Sequence, residues 1–175
     1  MTLTTLHSSP VPASYEVGTT LVYPHHGAVT ITDLTTRDIK GTPTKYMTLR
    51  VHSSDLIIQA AIDKASDLSV RDVIDQAGVE KVYALLQAGE AEEASNWSRR
   101  FNDNQAKMIS EDVSKVAEVV RDVWRREQDK GISAGEKSML SRARQILVSE
   151  LALAQGTTTD DADTRLLEAL QTPTL

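Results

Sequence analysis

The chain has 175 residues, a formal net charge of −6, 40% hydrophobic residues and no cysteine. That length suits one ordinary domain or two small ones, and the missing cysteine excludes a disulfide framework, a thiolate nucleophile and a cysteine-ligated metal site. No run of about 18 apolar residues occurs, which excludes a membrane-spanning helix in the sequence as given.

Charge is distributed unevenly. Residues 1–94 hold 7 basic and 12 acidic side chains, residues 95–150 hold 11 and 9, and residues 151–175 hold 1 and 4. Only the middle segment is basic, and slightly so. Any contact with phosphate must therefore use a local face and be weak at physiological salt. The lack of cysteine suits a reducing cytoplasm.

Residues 1–14 are rich in Thr, Ser and Pro, lack the pattern of a signal peptide, and read as a disordered extension. Short strands follow. Thr20–Tyr23 is apolar and stops at Pro24. Ala28–Thr36 alternates through Val29 and Ile31 and breaks at Asp33. Lys45–His52 alternates Tyr46 or Met47 with Leu49 and Val51, and Leu56–Ile58 is a short apolar run. The stretches between them, Pro24–Gly27, Lys40–Pro43 and Ser53–Asp55, have turn chemistry. Four or five strands without a helix-length pattern predict a small antiparallel barrel.

From Leu68 the period becomes helical. Short helices are predicted over Leu68–Gln76 and Val79–Ala88, separated by Gly78, and an acidic link over Glu90–Ala94. Ser95 is a candidate cap for a helix over Asn96–Met108. Ser110 is a candidate cap for Glu111–Asp129, which ends at Gly131. That helix puts Val113, Val116, Ala117, Val120, Val123 and Trp124 on one stripe, with Lys115, Arg121, Arg125 and Arg126 opposite. Ser133-Ala134-Gly135-Glu136 is a capping box. It opens a helix to about Ala154 with Met139, Leu140, Ala143, Ile146, Leu147 and Leu151 inward. Gly156 ends it, and Asp160–Leu170 is a last short helix. The fold class is α+β, a small N-terminal antiparallel β-barrel followed by an all-α bundle of about five helices. The domains are placed at 15–66 and 67–156, with an acidic helix and tail over 157–175.

Trp97 is the conspicuous residue in this pattern. Its neighbours Asn96, Ser98, Arg99 and Arg100 are polar, whereas Ala94 and Phe101 are apolar, so exposure and core packing both remain open from the residues alone. Trp124, on the apolar stripe, reads as core. His25 and His26 with His52 are too few for a metal site, and Tyr23-Pro24-His25-His26-Gly27 reads as a rigid turn packing on the helical part. No Gly-rich phosphate loop, GxSxG or HExxH motif occurs, and no carboxylate pair sits in an apolar context, so no enzyme and no cofactor is expected.

Three collinear stretches carry a resemblance. They are Tyr15-Glu16-Val17-Gly18-Thr19-Thr20-Leu21-Val22-Tyr23-Pro24-His25-His26-Gly27, then Asn96-Trp97-Ser98-Arg99-Arg100-Phe101, then Lys115 to Leu153 (KVAEVVRDVWRREQDKGISAGEKSMLSRARQILVSELAL). Together they resemble the CarD family of bacterial transcription regulators, in its actinobacterial form. The resemblance implies a Tudor-like (SH3-like) barrel that binds the RNA polymerase β subunit, as in transcription-repair coupling factors. It also implies a helical domain at the upstream edge of the promoter bubble, where a tryptophan wedges into the minor groove and stabilises the open complex.

Carried onto this chain, the resemblance makes Trp97 the wedge, with Arg99, Arg100, Arg126 and Lys137 as phosphate contacts. Arg37, with Leu56, Ile57, Ile58 and Gln59 along a sheet edge, becomes the polymerase contact. The protein would act as a cytoplasmic monomer, held at the nucleoid through polymerase, with weak DNA binding that does not read sequence. The chain departs from the family pattern at Asn102, which is followed by Asp103, and at Ser138, two positions where basic residues are common, and at Gln59, where an arginine is usual. Ala60-Ala61 replace a Val-Pro or Ile-Pro pair. These departures feed an alternative, a protein-interaction module with weakened DNA or polymerase binding.

Overall fold

The computed structural model describes residues 15–64, 70–89 and 96–172. Four strands, β1 (Thr20–Tyr23), β2 (Gly27–Ile39), β3 (Thr42–Val51) and β4 (Ile57–Ala61), form one curled antiparallel sheet in the order β1-β2-β3-β4. A short 3₁₀ turn, Ile62–Lys64, follows. Five helices complete the chain: α1 (Gln76–Gln87), α2 (Trp97–Met108), α3 (Val113–Asp129), α4 (Ala134–Gln155) and α5 (Thr159–Gln171). The extension over 1–14, the acidic link Glu90–Ala94 and the Ser95 cap lie outside the described residues, as does part of the expected domain boundary.

Alternation builds the sheet. Met47, Leu49 and Val51 of β3 turn inward with Val29 and Ile31 of β2 and Leu21 of β1. Met47, rather than Tyr46, is thus the inward residue of the pair left open by the sequence. Full burial of such side chains stabilises by roughly 1.5–3 kcal/mol each. The break at Asp33 is a β-bulge, where the β2–β3 register shifts between Ile31 and Asp33. Beyond the bulge the hairpin extends to Lys40-Gly41, both at positive φ (54° and 84°). That two-residue turn has the backbone twist of the type I′ hairpin, which matches the twist of its strands.

The first predicted helix does not form. Residues 70–75 run extended, and Arg71 pairs with Val22 beside β1. A single helix α1 starts at Gln76, capped by Asp75, whose carboxylate accepts the Gly78 N–H. Gly78 is therefore inside the first turn and not a break. A Cβ there would lie 2.8 Å from the Ile74 Cβ, so close packing against the entering chain is what calls for glycine. Helix α3 begins two residues later than expected because Asp112, not Ser110, is its N-cap, while the Ser110 hydroxyl accepts the Asp112 N–H. The capping box of α4 and its left-handed end at Gly156 follow the sequence reading.

The apolar faces of α1, α3, α4 and α5 form one core, including Val82, Leu86, Val116, Val120, Leu147, Leu151 and Leu166, and Trp124 packs against it partly buried. The opposite face of α3 is not simply solvated. Arg121 is buried and paired with Asp122, and it donates to the Leu85 carbonyl. Arg125 donates to the Leu86 and Ala88 carbonyls. Both arginines thus satisfy the carbonyls at the C-terminus of α1, where the helix dipole favours a cation.

Sheet and bundle are fastened at two places. Gly27, at φ 75°, lets β2 lie against α4; a Cβ there would come 2.6 Å from the Ser149 Oγ and 3.2 Å from the Ile146 Cα. The Ala28 N–H donates to the Ser149 Oγ (3.2 Å), which donates in turn to the Ile146 carbonyl. The Tyr23–Gly27 turn therefore packs on the helical part as its residues suggest, with Tyr23 and His26 stacked at 5.3 Å. At the second fastening, Arg71 holds the fully buried Glu150 of α4 by two hydrogen bonds of 2.6 and 2.8 Å.

Candidate functional site

Trp97 is the first residue of α2 and is 47% exposed. Its cap is Asn96, whose side-chain oxygen accepts the Arg99 N–H. The polar neighbours therefore mark a helix start, and the mixed pattern resolves in favour of exposure. The ring is held, not loose. It stacks on Phe101 at a centroid distance of 5.3 Å, and its indole is hydrogen-bonded to Glu136 at the start of α4.

Glu136 organises this corner. Burial pushes its carboxyl up, but hydrogen bonds from the Ser133 backbone and hydroxyl, the Trp97 indole and the nearby Arg100 charge outweigh burial and hold it below the ordinary range. The carboxylate that orients Trp97 therefore stays ionised through neutral and mildly acidic pH. The sequence marks Glu136 as a capping residue; that it also reaches a tryptophan 39 positions earlier comes from the α2–α4 crossing.

The basic residues separate into two groups. Arg99 is exposed one residue beyond Ser98, and Lys137 is exposed on α4. Arg126 is half-buried on α3. Arg100, expected as an exposed partner of Arg99, is instead buried at 5% exposure, with its guanidinium 3.5 Å from Glu136. Helical geometry explains this, because Arg100, Asn104 and Met108 share the inward stripe of α2 at a spacing of four.

On the sheet, Arg37 lies opposite Thr44, Ile57 opposite Arg50 and Gln59 opposite Thr48. Thr44, Thr48 and Arg50 share the outer face of β3, so Arg37, Ile57 and Gln59 project to the same side. Arg37 sits 5.5 Å from the Tyr46 ring on that face. Ile57 and Leu56 are 53% and 44% exposed. Ile58 points the other way, into the sheet core. β4 ends the sheet and pairs only with β3 among the described residues. Leu34 and Ile39 on the projecting hairpin are further exposed apolar residues, which the sequence reading did not single out. Among the described residues, no helix is long and apolar enough to cross a membrane, and no cluster of three His, Asp or Glu side chains is placed to hold a metal.

The family model for the CarD-like/TRCF RID domain matches residues 15–74, and that for the CarD C-terminal domain matches residues 81–167. A protein of Bacillus subtilis (strain 168), named "Putative transcription factor YdeB", is 29% identical over 144 residues, covering 82% of this chain and 94% of its own length.

Proposed function

The chain belongs to the CarD family, and from that premise we propose that it is a transcription regulator bridging RNA polymerase and promoter DNA. In this reading the sheet docks on the polymerase β subunit through Arg37 and the β4 edge, Leu56 to Gln59. The helical part sets Trp97 against the upstream edge of the open bubble, with Arg99, Arg126 and Lys137 on nearby phosphates. The observation that carries the reading is Trp97: a large apolar ring, half exposed and pinned by Phe101 and Glu136 at a helix start. Holding the ring in place lowers the entropy lost when it inserts beside a base step.

Burial of Arg100 favours a second reading, a protein-interaction module with little DNA affinity, because one expected phosphate contact is turned inward. Gel shift with a promoter duplex over a salt series, with and without polymerase, separates the two. The bridging protein should bind duplex weakly alone and supershift a polymerase–promoter complex, since tethering supplies a high local concentration. A polymerase complex whose stability on the promoter does not respond to the protein sinks the bridging reading.

The polymerase side has its own test. Arg37→Glu should weaken co-elution with polymerase. Gln59→Arg should tighten it by up to roughly ten-fold, the scale of a charge-assisted hydrogen bond. Both residues lie on the outer sheet face, so neither change should disturb the fold. Unchanged co-elution for Arg37→Glu would remove that residue from the contact.

A further inference from the structure

Where the β1–β2 turn meets α4, the surface changes character. A cavity of about 430 Å³ is lined by His25 and His26 of that turn, Ser53 and Ser54 of the β3–β4 turn, and Ser138, Ser141, Arg142, Gln145 and Ile146 of α4. An adjoining groove of about 710 Å³ shares His25, Ser138 and Arg142 and continues over Met139 and Ile109 to Phe101, the ring on which Trp97 stacks. Neither has a carboxylate in its lining. In a chain with 25 acidic and 19 basic residues, that exclusion is a property of the place and not of the composition.

Arg142 differs from its neighbours in commitment. Arg71, Arg121 and Arg144 each hold a carboxylate at 2.5–2.6 Å. Arg142 is exposed, and its guanidinium donates to the His25 carbonyl (3.2 Å). That bond aims the guanidinium across the mouth of the cavity while leaving its other N–H groups for a ligand. Serine hydroxyls and imidazoles around a guanidinium are the donors that phosphate oxygens take.

We propose that this cleft is a phosphate-binding subsite for the DNA backbone, built jointly by the sheet turns and α4, which holds the strand a few nucleotides from the step where Trp97 inserts. The proposal rests on the reading that the chain contacts promoter DNA. The distance suits it. Glu136, which holds Trp97, and Arg142 are six residues apart on α4, or about 9 Å at 1.5 Å per residue. This is roughly the axial rise of two to three nucleotides at 3.4 Å each. The electrostatics agree: partial burial first, then the Arg142 charge, hold the imidazoles of His25 and His26 below their ordinary range, as expected where no anion balances the guanidinium. The subsite also gives the fastening at Gly27 a functional consequence, because the two halves of the site come from opposite sides of the sheet–bundle junction.

The test measures the salt dependence of promoter-complex affinity, using full-length protein with polymerase and promoter. Arg142→Gln should lower the slope of log affinity against log salt by about one and leave binding to polymerase without DNA unchanged. Ser138→Asp, at an exposed helix position, should weaken the complex by adding a carboxylate to the cavity, and it decides the matter if Arg142→Gln fails to fold. Unaltered salt slopes and affinities in the folded variants overturn the subsite. If Trp97→Ala still shortens complex lifetime in that case, the bridging function stands without it; if neither matters, the bridging reading itself has failed. Inorganic phosphate, titrated against the His25 and His26 ring protons by NMR, tells the two phosphate sources apart. Shifts from free phosphate combined with no response of promoter complexes to Arg142→Gln would make the cleft a small-anion site and overturn its assignment to DNA.

Discussion

Glu150→Ala should destabilise the protein by about 3–5 kcal/mol, the scale for removing one member of a buried ion pair. Glu150 is fully buried, and its two oxygens take both guanidinium donors of Arg71 and the Ile74 N–H (3.1 Å). Truncation leaves Arg71 largely buried with no carboxylate and orphans the Ile74 N–H, while opening space in α4. Arg71 also donates to the Glu111 carbonyl (2.7 Å) and exchanges backbone hydrogen bonds with Val22. Its loosening therefore reaches β1, the start of α3 and the entry to α1 together. Urea unfolding of wild type and variant checks the value. An isosteric Glu150→Gln, which keeps the shape and an acceptor, should cost less. A loss below about 1 kcal/mol for Glu150→Ala would mean that the pair does not hold sheet and bundle together in solution.

Trp97→Ala should shorten the lifetime of the open promoter complex by roughly five-fold to a hundred-fold. The scale is borrowed from base–aromatic stacking in single-strand binders, about 1–3 kcal/mol per base, converted at about 1.4 kcal/mol per ten-fold. Insertion at an already distorted step costs less than in relaxed duplex, so the effect should appear in the tethered complex and be small with free DNA. The fold should survive, because the residue is half exposed at the first position of α2 and the Asn96 cap and the Ser133–Glu136 capping box do not depend on it. The measurement is complex decay against a competitor, with circular dichroism of the variant as the control. Equal decay rates with both proteins bound would remove the wedge. Unfolding of the helical part would mean that the Phe101 stack and the Glu136 hydrogen bond serve packing before they serve DNA.

Much of the architecture was legible because short-range chemistry fixed it. Pro24, Gly41 and the alternation around Leu49 set the strands. The Ser133–Glu136 box and Gly156 set both ends of the longest helix. The charge distribution put the net positive charge in one segment, and a cap expected just before Trp97 pointed to a helix start, which Asn96 caps. The errors came where a local pattern met a tertiary partner. Leu68–Gln76 has helical spacing, yet residues 70–75 stay extended, with Val22 supplying backbone hydrogen bonds to Arg71 and Glu150 taking its side chain and the Ile74 N–H.

Only the packed structure decided which charges are working surface. Arg99 and Arg100 are adjacent in sequence, but a rotation of about 100° per residue along a helix puts one in water and the other against Glu136. Arg121 and Arg125 read as a polar face until α1 presents its C-terminal carbonyls to them. Arg142 carries no sequence signal at all, and its place over a carboxylate-free cleft arises when Gly27 lets the β1–β2 turn settle on α4. Sequence by itself determined both ends of α4 and the turns between the strands, since those depend on residues a few positions apart. Which side chains meet across the sheet–bundle junction depends on contacts between residues 79 to 121 positions apart, and those exist only once both cores have formed.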